Sequence, residues 1–74
     1  MINSTVTGMR LTHLRKERGQ TRAFVARQLG IPYATLVSYE SGVRTPPDRM
    51  KIRLSDYYGM SVGDLFFADD NHIT

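Results

Sequence analysis

Between Arg22 and Ser41 the apolar positions fall into two short groups at helical spacing: Val25, Ala26 and Leu29 in the first, Leu36 and Tyr39 in the second. Gly30 separates them. It can take the left-handed backbone that ends a helix, Ile31 comes next as an apolar residue able to drop beside the turn, and Pro32 is well suited to opening the next helix. The pattern predicts helices from Arg22 to Leu29 and from Tyr33 to Ser41, packed across a tight turn with one face of the second left free.

Upstream, Leu11 and Leu14 share one face of a helix from about Met9 to Arg18, surrounded by Arg10, Arg15, Lys16 and Arg18 and closed by Gly19. Thr21 can cap the next helix, because its hydroxyl can accept from an amide one turn in. Downstream, Gly42 stops the third helix. The run from Val43 to Pro47 cannot be helical until its second proline, which can start a fourth helix reaching about Tyr58, with Asp48 near the positive end of the dipole. Within it Met50, Ile52, Leu54, Tyr57 and Tyr58 divide between two faces. Gly59 is the next stop, and Ser61 can cap a last short helix, Val62 to Phe67, whose Val62, Leu65 and Phe66 close the core. Residues 1–8 are polar and β-branched and read as a flexible arm, 9–67 as the folded domain, and 68–74 as a polar tail. No strand-like alternation occurs. The expected fold is all-α, a compact five-helix bundle containing a helix-turn-helix.

Seventy-four residues allow one domain, near the lower size at which a hydrophobic core alone supports a fold. The absence of cysteine excludes disulfides and thiolate zinc sites and fits a reducing compartment. The start has no basic segment leading into an apolar block, and no apolar run approaches membrane-spanning length, so a cytoplasmic protein without membrane association is expected. Charge sharpens the picture. All ten basic residues lie between Arg10 and Arg53 against three carboxylates, a net of +7, whereas four carboxylates and no base come after Leu54, a net of −4. Such asymmetry fits a side that faces a polyanion and an acidic far side.

Catalytic and metal chemistry find little support. His13 and His72 are isolated, Asp69 and Asp70 read as tail, and there is no nucleophile with a base, phosphate loop or ligand spacing. The chain is expected to be no enzyme and to need neither cofactor nor small-molecule ligand. Arg10, Lys16 and Arg18 are open to two readings, as phosphate ligands or as the solvated face of the first helix. Arg27 reads as surface or solubility, and Arg49, Lys51 and Arg53 either approach a flank of a site or are plain surface. Tyr39 reads as core, Tyr57 and Tyr58 as closing the bundle or an interface.

The ordered motifs resemble the lambda-repressor-like helix-turn-helix DNA-binding family, of Cro/CI and XRE type. Leu11, Leu14, Arg15 and Gly19 are similar to its first helix, and Val25-Ala26 with Leu29-Gly30-Ile31 to its Leu-Ala and Leu-Gly-Val signature. Thr35-Leu36 and Tyr39-Glu40-Ser41-Gly42 resemble the pattern that ends the recognition helix. Arg44 and Pro46 resemble the basic residue and proline beyond that helix, and Tyr58 to Phe66 the closing Leu-Gly-Val-Ser-Leu-Asp-Glu-Leu-Phe. The resemblance spans about Met9 to Phe67. It implies that the third helix enters the major groove while the second lies across the backbone. It also implies an ion pair between Arg15 and Glu40, and phosphate contacts from Thr21, Arg22, Ser41 and Arg44.

Base readout would fall to Tyr33, Ala34, Val37 and Ser38. The family often carries Gln, Arg, Ser or Asn there; here Ala34 and Val37 can meet thymine methyl groups, and Tyr33 and Ser38 offer hydroxyls, a surface suited to A·T-containing sites. Phe66 and Phe67 are adjacent and so point about 100° apart on a helix, which leaves one of them at least partly exposed. With Leu65 and Ile73 they form a candidate dimer contact, and a two-fold dimer would set two recognition helices about 34 Å apart on the duplex. The sequence therefore points to a sequence-specific double-stranded DNA-binding regulator, a repressor acting by operator occupancy as a homodimer. The alternatives are an antitoxin or restriction-modification controller with a protein partner on the acidic C-terminal side, and a helix-turn-helix scaffold used for protein-protein interaction.

Overall fold

The computed structural model describes residues 4–68. They form five helical elements and, among the described residues, no strand: α1 (Ser4–Glu17), α2 (Arg22–Leu29), α3 (Tyr33–Ser41), α4 (Asp48–Tyr58) and α5 (Gly63–Phe67), the last wound as a single π-helical turn. Leu11, Val25, Ala26, Leu29, Leu36, Tyr39, Met50, Leu54, Tyr58, Leu65 and Phe66 meet in one buried core, so every element contributes to it. On α4 the division between two faces resolves into Met50, Leu54 and Tyr58 inward and Ile52 outward.

The α2–α3 turn is built as the glycine predicts. Gly30 sits at φ 69° and ψ 34°, a left-handed conformation that costs glycine nothing, and the Ile31 amide reaches back to the Ala26 carbonyl at 3.0 Å. Ile31 is half-buried against the core, which fixes the angle between the helices. Pro32 and Pro47 stand one residue earlier than a first helical position: both are extended caps, at ψ 146° and 164°, before α3 and α4.

The reading of residues 1–8 as a flexible arm needs correction. α1 begins at Ser4, and Thr7 and Gly8 are buried with Leu11 and Arg15 on the face that packs along α3. Ser4 Oγ and Thr45 Oγ1 are hydrogen-bonded, tying the first turn to the loop after α3. β-Branched Thr5, Val6 and Thr7 are weak helix formers, and tertiary contact with α3 outweighs that preference. Residues 1–3 of the arm and 69–74 of the tail lie outside the described residues. At the other end, Ser61 Oγ accepts from the Asp64 amide at 3.0 Å, the expected cap of the closing turn.

Candidate nucleic-acid interface

The interface is built where α2 starts and α3 presents its outer face. Thr21, extended at φ −85° and ψ 159°, accepts the Phe24 amide at 3.1 Å and so starts α2 with its dipole directed at the surface. Arg22 is the first helical residue. Its Nε donates at 2.9 Å to Oε1 of Glu40, whose Oε2 accepts Arg15 Nε at 2.8 Å. The Glu40 side chain is 0% exposed, so one buried carboxylate binds two guanidiniums and ties α1, α2 and α3 together. Arg15 also donates to the Gln20 carbonyl at 2.9 Å, which satisfies a buried charge a lone pair would leave costly. The Arg22 side chain remains 40% exposed. Its hydrogen bond to Glu40 outweighs desolvation and holds the guanidinium further above its ordinary range, a fixed cation at the head of α2.

On the outer face of α3, Tyr33 is 53% exposed, Pro32 and Ala34 are exposed, and Val37 and Ser38 are half-buried. The Ser38 carbonyl gathers the loop after the helix, accepting the amides of Val43 at 3.0 Å and Arg44 at 3.2 Å and the Ser41 hydroxyl at 3.2 Å. To donate to a phosphate, the exposed Ser41 hydroxyl has to leave that carbonyl. Arg44 lies over Tyr39, 5.7 Å from guanidinium carbon to ring centroid, which anchors the arginine near the C-terminal end of α3.

Two other arginines bond to carbonyls of the fold instead. Arg10 donates to the carbonyls of Leu65 at 3.3 Å and Ala68 at 2.6 Å, and Arg18 donates to Tyr57 O at 2.9 Å while lying over Tyr57 and Tyr58. Each brings positive charge to carbonyls at a helix C-terminal end. Arg10 is thus partly withdrawn from the solvated face, whereas Arg18 stays exposed while bonding within the fold. The partners are 55, 58 and 39 residues away, so local pattern carries no signal of them. The second bond of Glu40, to Arg22, also escapes a reading of the sequence; opposite charges near facing helix ends are its only trace.

The candidate dimer contact divides. Leu65 and Phe66 are buried in the core, as their spacing with Val62 predicts, and offer no surface. Phe67 is 49% exposed and sits 5.2 Å from Lys51 Nζ, and Ile73 lies outside the described residues. Among the described residues no group of His, Cys, Asp or Glu could hold a metal ion, and no helix is long and apolar enough to cross a membrane.

A family model described as a helix-turn-helix domain matches residues 7–66. Of solved structures, a transcriptional regulator from Listeria innocua superposes with a TM-score of 0.78 at 28% identity, over 86% of this chain and 60% of its own. The present chain thus spans less than two thirds of that regulator. The BldD DNA-binding domain of S. venezulae gives a TM-score of 0.73 at 24% identity, over 86% of this chain and 96% of the other, a likeness of fold. No curated protein matches the sequence.

Proposed function

The chain belongs to the helix-turn-helix domain family, and we propose that it binds double-stranded DNA sequence-specifically as a cytoplasmic transcriptional regulator, repressing by operator occupancy as a homodimer. The observation that carries this reading is the join of α2 and α3: Glu40 holds the Arg22 cation at the start of one helix beside the exposed Tyr33 and Ala34 of the other. A phosphate at Arg22 and a major groove against Tyr33, Ala34, Val37 and Ser38 fit the two surfaces at once. Thr21, Ser41 and Arg44 supply further backbone contacts in this reading.

Selection from random duplexes and then a salt titration test it. With about six phosphates neutralised, log K should fall against log salt with a slope of about −5. A flat salt response overturns DNA binding, and half-sites made only of G·C overturn the preference for A·T.

The apolar character of the reading face favours one other use, as a scaffold that docks a protein. Replacing Tyr33, Val37 and Ser38 together separates the two: DNA binding that survives the change supports the scaffold.

A further inference from the structure

Gln20 stands directly before the Thr21 cap of α2, a position where an apolar side chain often packs onto the fourth residue of the helix, here the buried Val25. The chain places a carboxamide there instead, and the fold fixes three of its polar groups. The Gln20 amide donates to the Arg15 carbonyl at 3.2 Å, its carbonyl accepts Arg15 Nη1 at 2.9 Å, and its Oε1 accepts the Tyr57 hydroxyl from α4 at 2.8 Å. Tyr57 is held in turn. Arg18 donates to its carbonyl at 2.9 Å and covers its ring at 5.5 Å from guanidinium carbon to centroid, while the Tyr58 ring meets it edge-on at 5.0 Å. With Oε1 occupied, the group Gln20 has left to offer is Nε2, whose two N–H donors have no partner among the described residues. The residue is only half-buried, and with Thr21 it lines two shallow depressions, one reaching Phe24 and the other Arg22 and Tyr33.

We propose that Gln20 is a further contact to the DNA backbone, donating from Nε2 to the phosphate beside Arg22, and that Tyr57 is a positioning residue that holds Oε1 inward so that the donors face out. The inference rests on the reading that Arg22 meets a phosphate. Phosphate oxygens accept from glutamine as they do from arginine, but the glutamine adds no charge. Methionine has a side chain of about the same length; it restores the apolar packing that the position favours and donates nothing. A glutamine serving the fold and a glutamine serving the DNA therefore respond to that change in opposite ways.

The experiment takes the full chain and the duplex obtained by selection, and measures affinity across a salt series and the melting temperature for wild type, Gln20→Met, Tyr57→Phe, the double variant and Arg22→Gln. Gln20→Met should melt at or above the wild-type temperature and yet bind about tenfold more weakly, the scale of a lost hydrogen bond to a charged acceptor. Its log-log salt slope should equal that of wild type, whereas Arg22→Gln should make the slope shallower by about 0.9. Tyr57→Phe keeps the ring and should weaken binding about threefold in the wild-type background, with no further effect in Gln20→Met. Wild-type affinity in Gln20→Met, or a melting temperature clearly lowered by it, overturns the inference. A shallower salt slope in Gln20→Met also overturns it, because the start of α2 has then moved off the backbone as a whole. An equal effect of Tyr57→Phe in both backgrounds overturns the positioning role. Weakened binding in Arg22→Gln with none in Gln20→Met removes this inference alone. No weakening in either, or no duplex bound by wild type, overturns the phosphate reading at Arg22, and this inference with it.

Discussion

Gly8 passes so close to Glu40 that a Cβ placed on it would lie 2.4 Å from the Glu40 carbonyl oxygen and 2.9 Å from that of Tyr39. Both obstacles are helix backbone, so α1 and α3 must separate to admit a methyl group. Gly8→Ala should therefore destabilise by about 2–3 kcal/mol, the scale of overpacking, despite alanine's better helix propensity. In a domain of this size that lowers Tm by about 8 °C or more, read by a thermal melt. A variant as stable as wild type would show that this crossing is looser than its geometry.

That contact also marks what the sequence could convey. α2 and α3 were legible to the residue, because local signals agree there: Thr21 as cap, apolar spacing in Val25, Ala26 and Leu29, and a glycine able to turn left-handed at position 30. The start of α1 was not, since Thr5, Val6 and Thr7 look non-helical until α3 is packed against them. In the site, the pairing of Arg15 with Glu40 came from resemblance, and the exposed face of α3 from periodicity. The fates of Arg10 and Arg18 depend on chain-distant carbonyls, whereas the burial of Leu65 and Phe66 follows the spacing of Val62, Leu65 and Phe66 and leaves only Phe67 for a contact.

Tyr58 couples stability to alkaline pH. Its hydroxyl is buried with no hydrogen-bond partner among the described residues, and burial, with a smaller contribution from Glu40, pushes its pKa up to about 12 from 10.0. A raised folded pKa means that the folded state holds the proton where the unfolded chain has lost it. The stabilising contribution is complete below pH 10 and is lost as pH rises through about 12. A displacement of that size corresponds to about 2–3 kcal/mol. Tyr58→Phe should match or exceed wild type at pH 7 and lack this share of the decline between pH 10 and 12, measured by urea unfolding at each pH.

The two arginines on Glu40 should differ in what they contribute. Arg15 is buried and Arg22 is not, so Glu40→Gln strands a buried guanidinium and should cost about 3–5 kcal/mol. Arg22→Gln breaks only the solvent-side pair and should cost less than about 1 kcal/mol. Urea unfolding of both variants decides; equal losses would show that Arg22 holds the fold together as much as Arg15 does.

Phe67 is what remains of the candidate dimer contact among the described residues. The adjacent Phe66 fills the core, so Phe66→Ala should cost about 3–5 kcal/mol and abolish a stable fold in so small a domain. Phe67 is half exposed beside Lys51, and its replacement by serine removes apolar surface without opening a cavity. If two copies meet at this end of α5, Phe67→Ser should leave the melting temperature of the monomer within a few degrees and weaken the dimer by about tenfold or more, as loss of an aromatic anchor does. Sedimentation equilibrium over a range of concentrations reads the change directly. An unchanged dimer constant would place the two-fold contact elsewhere, and DNA binding with half-site stoichiometry would show that the chain works without one.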